Sequence, residues 1–144
     1  MTQATALFFD LVRVETRLYN AAEARLRAVH DLSLGQFQLL DLINRTPDCR
    51  VQDIVDDIAI TVGAASKAVD RMENAGLCQR SANPDDRRSS ILTLTELGAR
   101  RLAEARPTLD QELIALVSEV AGPEELLRAG GVLAALKESL RGRG

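Results

Sequence analysis

Residues 3 to 30 hold neither Pro nor Gly, and their apolar positions Leu7, Leu11, Val14, Leu18, Ala22, Leu26 and Val29 recur at spacings of three and four. That period predicts one long amphipathic helix. A second apolar line through Phe8, Val12 and Tyr19 widens the face beyond what one core contact requires, so the helix is expected to meet a second subunit as well as its own chain. Asp31 to Gln36 breaks the pattern, and Ser33 with Gln36 three residues on has the form of a capping box. It opens a second helix to about Asn44, with Phe37, Leu40 and Ile43 inward. Thr46-Pro47-Asp48 ends that helix, Cys49-Arg50-Val51 suits a very short strand, and Val51 to Ile58 suits a short third helix with Ile54, Val55 and Ile58 inward. Thr61 is the N-cap expected for a fourth helix, Val62 to Asn74, whose inward stripe is Ala65, Ala68, Val69 and Met72; Gly76 stops it.

Two short runs follow, Leu77–Ser81 and Ser89–Thr95, apolar and β-branched enough for strands. Between them Ala82-Asn83-Pro84-Asp85-Asp86-Arg87-Arg88 is turn chemistry followed by paired charge, which predicts a hairpin with a charged tip. From Thr95, a cap, the line Leu97, Leu102, Ala105, Leu109, Leu113, Leu116, Val117 and Val120 predicts another helix, kinked at Pro107. Pro123 with Glu124 and Glu125 opens a last helix to about Leu140. The tail Arg141 to Gly144 is expected to be without structure. A short helix, a tight turn at Ala59-Ile60-Thr61, a second helix and then a hairpin have the proportions of a winged helix. The fold expected is mainly α, α+β only by virtue of the small hairpin: a winged helix-turn-helix carried on a helical arm.

At 144 residues with 46% hydrophobic and 27% charged residues, the chain is of single-domain size and helix-rich in composition. No apolar run approaches a membrane span, and the amino terminus lacks the basic segment and apolar block of a signal peptide, so a cytoplasmic location is expected. Two distant cysteines and one histidine give no zinc-ligand spacing, and no metal or cofactor is expected. No phosphate-binding Gly-rich loop is present and the lone histidine has no recognisable nucleophile beside it, which argues against an enzyme. The net charge of −3 excludes a nonspecific nucleic-acid coat protein but not a local basic patch.

Three segments carry a resemblance: Val69-Asp70-Arg71-Met72-Glu73 with Gly76-Leu77, then Asn83-Pro84-Asp85-Asp86-Arg87-Arg88, then Leu94-Thr95-Glu96-Leu97-Gly98. In order and spacing they resemble the MarR-type (multiple antibiotic resistance) transcription regulators, nearly end to end. The resemblance implies a homodimer built from residues 1–30 and 99–144, a DNA-binding domain at 31–98, and a double-stranded, pseudo-palindromic operator. The Val62–Asn74 helix would enter the major groove and the wing, about 77–95, the adjacent minor groove, with half-sites roughly 34–36 Å apart. Repression is the commoner mode in that family.

By position, Arg88 resembles the arginine such proteins insert in the minor groove, where negative potential is concentrated, and Asp86 the carboxylate that aims it. Arg87 is a phosphate contact or merely solvated. The recognition helix departs from the family habit of Arg, Ser or Thr in its first turns. After Thr61 it offers Val62, Gly63 and Ala64, and its outward donors are Ser66, Lys67 and Arg71. Ser66 and Lys67 suit polar contacts, Val62 and Ala64 suit thymine methyls, and Gly63 admits close approach; tight helix packing is the competing reason for small residues here. Arg71 could equally bridge Asp70 or a carboxylate elsewhere. Between Thr61 and Ser90 five basic residues face four acidic ones, so attraction to phosphate must come from placement.

Members of the family commonly release DNA when a small aromatic or anionic effector enters the crevice between arm and winged helix. Arg13, Arg17, Tyr19, His30 and Phe37 are the positions expected to line it, each with a core or surface role as the alternative. Cys49 and Cys78 read as buried and inert rather than redox-active. The remaining rival is a winged helix that binds protein instead of DNA, a reading the acidic balance keeps open.

Overall fold

The computed structural model describes residues 1–143. Its elements run α1 (Gln3–His30), α2 (Leu34–Arg45), α3 (Val51–Ile58), α4 (Val62–Asn74), β1 (Cys78–Ala82), β2 (Ser90–Leu94), α5 (Glu96–Val117) and α6 (Pro123–Leu140). Each helix start follows its local chemistry. Ser33 and Gln36 form the capping box, Thr61 Oγ1 accepts from the Ala64 N–H at 3.1 Å, and Thr95 Oγ1 accepts from Gly98 N–H at 3.0 Å. These bonds satisfy donors that the first helical turn otherwise leaves unpaired.

The core lies among α2, α3, α4, the base of the hairpin and the middle of α5. Leu40, Ile54, Ala65, Val69, Met72, Leu92, Leu102 and Ala105 are buried there. Helix α2 is its centre, for Leu34, Phe37, Leu39, Leu40, Leu42 and Ile43 are all buried, a wider face than Phe37, Leu40 and Ile43 alone. Burying six large side chains on one twelve-residue helix contributes on the order of 10 kcal/mol before chain entropy is charged against it.

Strands β1 and β2 pair antiparallel with Cys78 opposite Leu94 and Ala82 opposite Ser90. The expected strand at Cys49–Val51 is not formed. Cys49 O accepts one bond, from Leu92 N–H at 2.7 Å, but Val51 already begins α3, which leaves no second residue to continue a ladder beside β2. The joint between hairpin and α5 is tight. Thr95 Oγ1 donates to Gly76 O at 2.6 Å, Thr95 N–H donates to Leu77 O at 3.1 Å, and Gly98 packs so closely on Leu77 that a Cβ there would overlap the carbonyl. Gly76 itself turns the chain at φ 74°, in the region that favours glycine.

The arm is less complete. Of the predicted α1 line only Ala22 and Leu26 are buried, while Leu7, Leu11, Val14 and Val29 stay exposed, as do Phe8 and Val12. Helix α5 runs through Pro107 and buries Leu102, Ala105 and Leu109, but Ile114 faces outward; Val120, predicted on the same line, lies exposed in the turn beyond the helix end at Val117. No residue of α6 is buried, and Leu127 is 79% exposed. Beyond α6, Arg141 N–H and Arg143 N–H close a turn on Glu138 O and Leu140 O, where a structureless tail was expected; Gly144 lies outside the described residues. Among the described residues no helix is long and apolar enough to cross a membrane.

Candidate nucleic-acid interface

Helix α4 divides into faces by its 3.6-residue period. Ala65, Val69 and Met72 point into the core, and Val62, Gly63, Ala64, Lys67 and Arg71 are exposed, with Ser66 half-buried. The small residues are not packed against their own chain, because a Cβ added to Gly63 would meet nothing within 4 Å. The first two turns thus present an open, nearly side-chain-free surface beside one lysine. Thr61 is spent on capping, its Oγ1 holding the helix start. Ala59 bends the chain between α3 and α4 with φ 58°, a left-handed turn that a side chain as small as alanine tolerates at modest cost.

The wing tip is folded by its own polar side chains. Asn83 Oδ1 accepts from Asp85 N–H at 3.0 Å, and Asn83 Nδ2 donates to Ser89 Oγ at 3.1 Å. Asp86 Oδ1 accepts from Arg88 N–H at 2.9 Å, and Asp86 Oδ2 takes the Ser89 hydroxyl at 3.3 Å. The expectation that Asp86 holds the Arg88 guanidinium therefore needs correction: the carboxylate binds the Arg88 main chain instead. A short acid two residues before an N–H closes this local ring readily. Asp86 fixes where Arg88 starts rather than where its guanidinium ends. Arg87 and Arg88 are both exposed and, among the described residues, neither makes an ion pair.

Helix and wing are joined by a residue that sequence reasoning counted only as charge. Arg80, in β1, donates from Nη2 to Asp70 Oδ1 at 2.8 Å and from Nη1 to Glu73 Oε1 at 3.0 Å. Partial burial works against its charge, but the hydrogen bonds and charges of Asp70 and Glu73 outweigh this and hold its pKa above the ordinary arginine value. Asp70 is thereby taken by Arg80 and not by Arg71. The available signal was the i,i+3 spacing of Asp70 and Glu73 on the helix edge that leads into the hairpin.

Arg71 turns to the opposite edge of α4. There it lines a cleft of about 490 Å³ with Tyr19, Arg27, Gln36, Ile58 and Met72, between α1 and the helix-turn-helix. Of the five positions expected in such a crevice, only Tyr19 lines this one. Phe37 is in the core beneath the guanidinium of Arg106, at 5.8 Å from its ring centroid. His30 lies on the arm, its Nε2 paired with Thr108 Oγ1 at 2.7 Å, and Arg101 donates to its carbonyl. Arg13 and Arg17 sit on the exposed amino-terminal half of α1, where Arg13 lies over Phe9.

Both cysteines are buried, and burial is the main cause that pushes the Cys49 thiol up to about 11 and raises Cys78 as well. Thiolate, the oxidisable form, is then scarce at pH 7. Millimolar peroxide is expected to leave both thiols intact when they are counted after unfolding; loss of either thiol in the folded protein would overturn this. Among the described residues no three His, Cys, Asp or Glu side chains converge as a metal site would require.

A helix-turn-helix followed by a two-stranded wing, with helical arms before and after, defines a winged helix-turn-helix protein. The family model described as MarR family matches residues 32–90. The chain is 30% identical over 95 residues to the HTH-type transcriptional regulator MhqR of Bacillus subtilis, a match covering 66% of this chain and 66% of that protein. It spans about half the length of two other Bacillus subtilis regulators that it matches. Its fold superimposes on that of Sco3205, a MarR family transcriptional regulator from Streptomyces coelicolor in complex with DNA, with a TM-score of 0.86 at 22% identity, covering 98% of this chain and 91% of that one. It likewise superimposes on the transcriptional repressor CouR bound to a 23-mer DNA duplex, with a TM-score of 0.81 at 28% identity, covering 90% and 91%. The chain belongs to the MarR family of transcription regulators, which are not enzymes.

Proposed function

We propose that the chain is a sequence-specific repressor that binds a pseudo-palindromic operator as a homodimer and is released by a small effector. The observation that carries the reading is the pairing of an open, small-residue start of α4 with a wing tip whose two guanidiniums are exposed and, among the described residues, without an ion-pair partner. An open helix surface lets the backbone approach base edges, and Val62 and Ala64 suit thymine methyls. Lys67 and Arg87 supply phosphate contacts, and Arg88 reaches the minor groove. CouR, a transcriptional repressor of the same fold bound to a DNA duplex, supports the same use of this fold.

Residues 31–98 form the DNA-binding unit in this reading, and 1–30 with 99–144 the dimerisation region. Exposed Leu7, Phe8, Val12, Ile114, Leu127 and Leu133 are too many large apolar side chains for a free surface, and a second copy of the chain is what covers them. The cleft beside Tyr19, Arg27 and Arg71 is the seat proposed for an aromatic or anionic effector. Its guanidiniums suit an anion, and Arg71 lies on α4 itself, so a ligand there bears on the recognition helix directly.

Footprinting on genomic DNA with purified protein tests the reading, and protection of an inverted repeat is the expected result. Two or three phosphates neutralised per subunit give log Kobs a slope of roughly −4 to −5 against log salt for a dimer. Binding without salt dependence, or failure to retard any fragment including the protein's own upstream region, would favour the protein-binding alternative.

A further inference from the structure

Helix α4 carries a contradiction for a DNA-binding element. Asp70 and Glu73, on the edge nearest the wing, put two carboxylates where phosphates are to be met, and the same helix offers few donors. Left free, they would repel the backbone of a duplex. They are not free, because Arg80 reaches back across the turn and binds both. Glu73 holds that residue twice, since its Oε2 also accepts the Arg80 main-chain N–H at 3.0 Å while Oε1 takes the guanidinium. Among the described residues these are the only ion pairs between α4 and the hairpin.

A two-stranded hairpin is marginal by itself and takes its direction from what it is tied to. The tip bonds of Asn83 and Asp86 are internal to the loop, and Thr95 fixes the hairpin at its base. At its first residue β1 is seated on α4 by the buried Cys78, whose thiol donates to Val69 O at 3.9 Å; beyond that point its lateral position along α4 rests on Arg80, whose planar fork suits two carboxylates at once. We propose that Arg80 is a positioning residue for DNA binding: it sets the angle of the wing against the recognition helix and silences the two carboxylates that would oppose phosphate. Arg80 itself touches no DNA in this arrangement. As a partly exposed pair it contributes little to folding stability, so its work is measured in binding and wing order.

This inference rests on the reading of α4 and the wing as the DNA contact, and three measurements separate the two. Asp70→Asn with Glu73→Gln removes two negative charges at nearly unchanged shape. Charge alone would tighten operator binding; the clamp requires it to weaken, by about tenfold at fixed salt. In a double-mutant cycle, Arg88→Ala is expected to cost at least about fivefold less affinity in an Arg80→Ala background than in the parent. Amide exchange on the DNA-free protein is expected to speed up through β1 in Arg80→Ala. Arg80→Lys keeps the charge but loses the fork, and is expected not to restore slow exchange.

Tighter or unchanged binding by the double carboxylate variant, strict additivity in the cycle, full rescue by lysine, or unaltered exchange would each overturn the proposal. A parent that binds no DNA would instead sink the DNA reading, and the exchange data would still decide whether Arg80 holds the wing.

Discussion

Replacing Arg88 with alanine is expected to weaken operator binding by about 2 kcal/mol per wing, roughly thirtyfold, and by roughly a thousandfold for a dimer that uses two wings. The magnitude follows from what the recognition helix lacks. Val62, Gly63 and Ala64 offer no donor from their side chains, so in the proposed docking the helix would select sequence while the wing supplies much of the attraction. Arg88 is exposed and forms no ion pair among the described residues, and its loop is fixed by the Asp86 bond to its main-chain N–H, which alanine keeps. Thermal midpoint and oligomeric state are therefore expected to match the parent's. Fluorescence anisotropy with the footprinted operator measures the loss. Binding as tight as the parent's would mean that the wing tip is not inserted.

Gly98→Ala is expected to damage the fold rather than the DNA contact. The added methyl would overlap the Leu77 carbonyl oxygen and lie 2.9 Å from its carbon. Neither partner can yield cheaply. Leu77 O accepts from Thr95 N–H, Leu77 is buried, and Gly98 sits in the first turn of α5, held by Thr95 Oγ1. Overpacking against immovable backbone costs about 3 kcal/mol, which lowers Tm by roughly 10 °C in a domain of this size. Calorimetry of parent and variant at equal protein concentration checks it, equal concentration being needed because association shifts Tm. An unchanged Tm would show that β1 and α5 can separate at this joint.

The Thr95-to-Gly98 contacts explain why a segment whose cap at Thr95 was legible in the sequence also carries Gly98, which was visible only as part of a resemblance. Leu94-Thr95-Glu96-Leu97-Gly98 joins a strand end, an N-cap whose hydroxyl serves two partners, and a glycine required by a carbonyl on its doorstep. The other helix starts were legible for the same local reason. Ser33, Thr61 and Pro123 act within three residues of themselves, and a signal that is local in structure is local in sequence.

What sequence could not resolve was choice of partner. The period of α1 marks Leu7 and Leu11 as apolar but carries no label for which chain covers them. Asp86 and Arg88 are opposite in charge and two residues apart, yet the carboxylate prefers the nearer N–H to the guanidinium, because the main-chain bond freezes fewer side-chain torsions. Arg80 lies seven and ten residues beyond its acids, across a turn whose geometry alone brings them together. His30 and Phe37 were assigned to a crevice by family position, but the same apolar period that predicted α2 already placed Phe37 on its inward face. Cys49 had strand-like neighbours, and its single bond to β2 ends where the α3 cap begins.

The hydroxyl of Thr95 also has a mechanical consequence. It ties the start of α5 to the turn after α4 at Gly76, while the Thr95 N–H grips Leu77, the residue just before β1. These two bonds pin the start of α5 to the turn between α4 and β1, so α5 is placed as a lever whose tilt reaches α4 through Gly76–Thr95. In a two-armed protein the angle at which the α5 helices cross would then be read out, magnified over the lever's length, as the separation of the two DNA-reading heads.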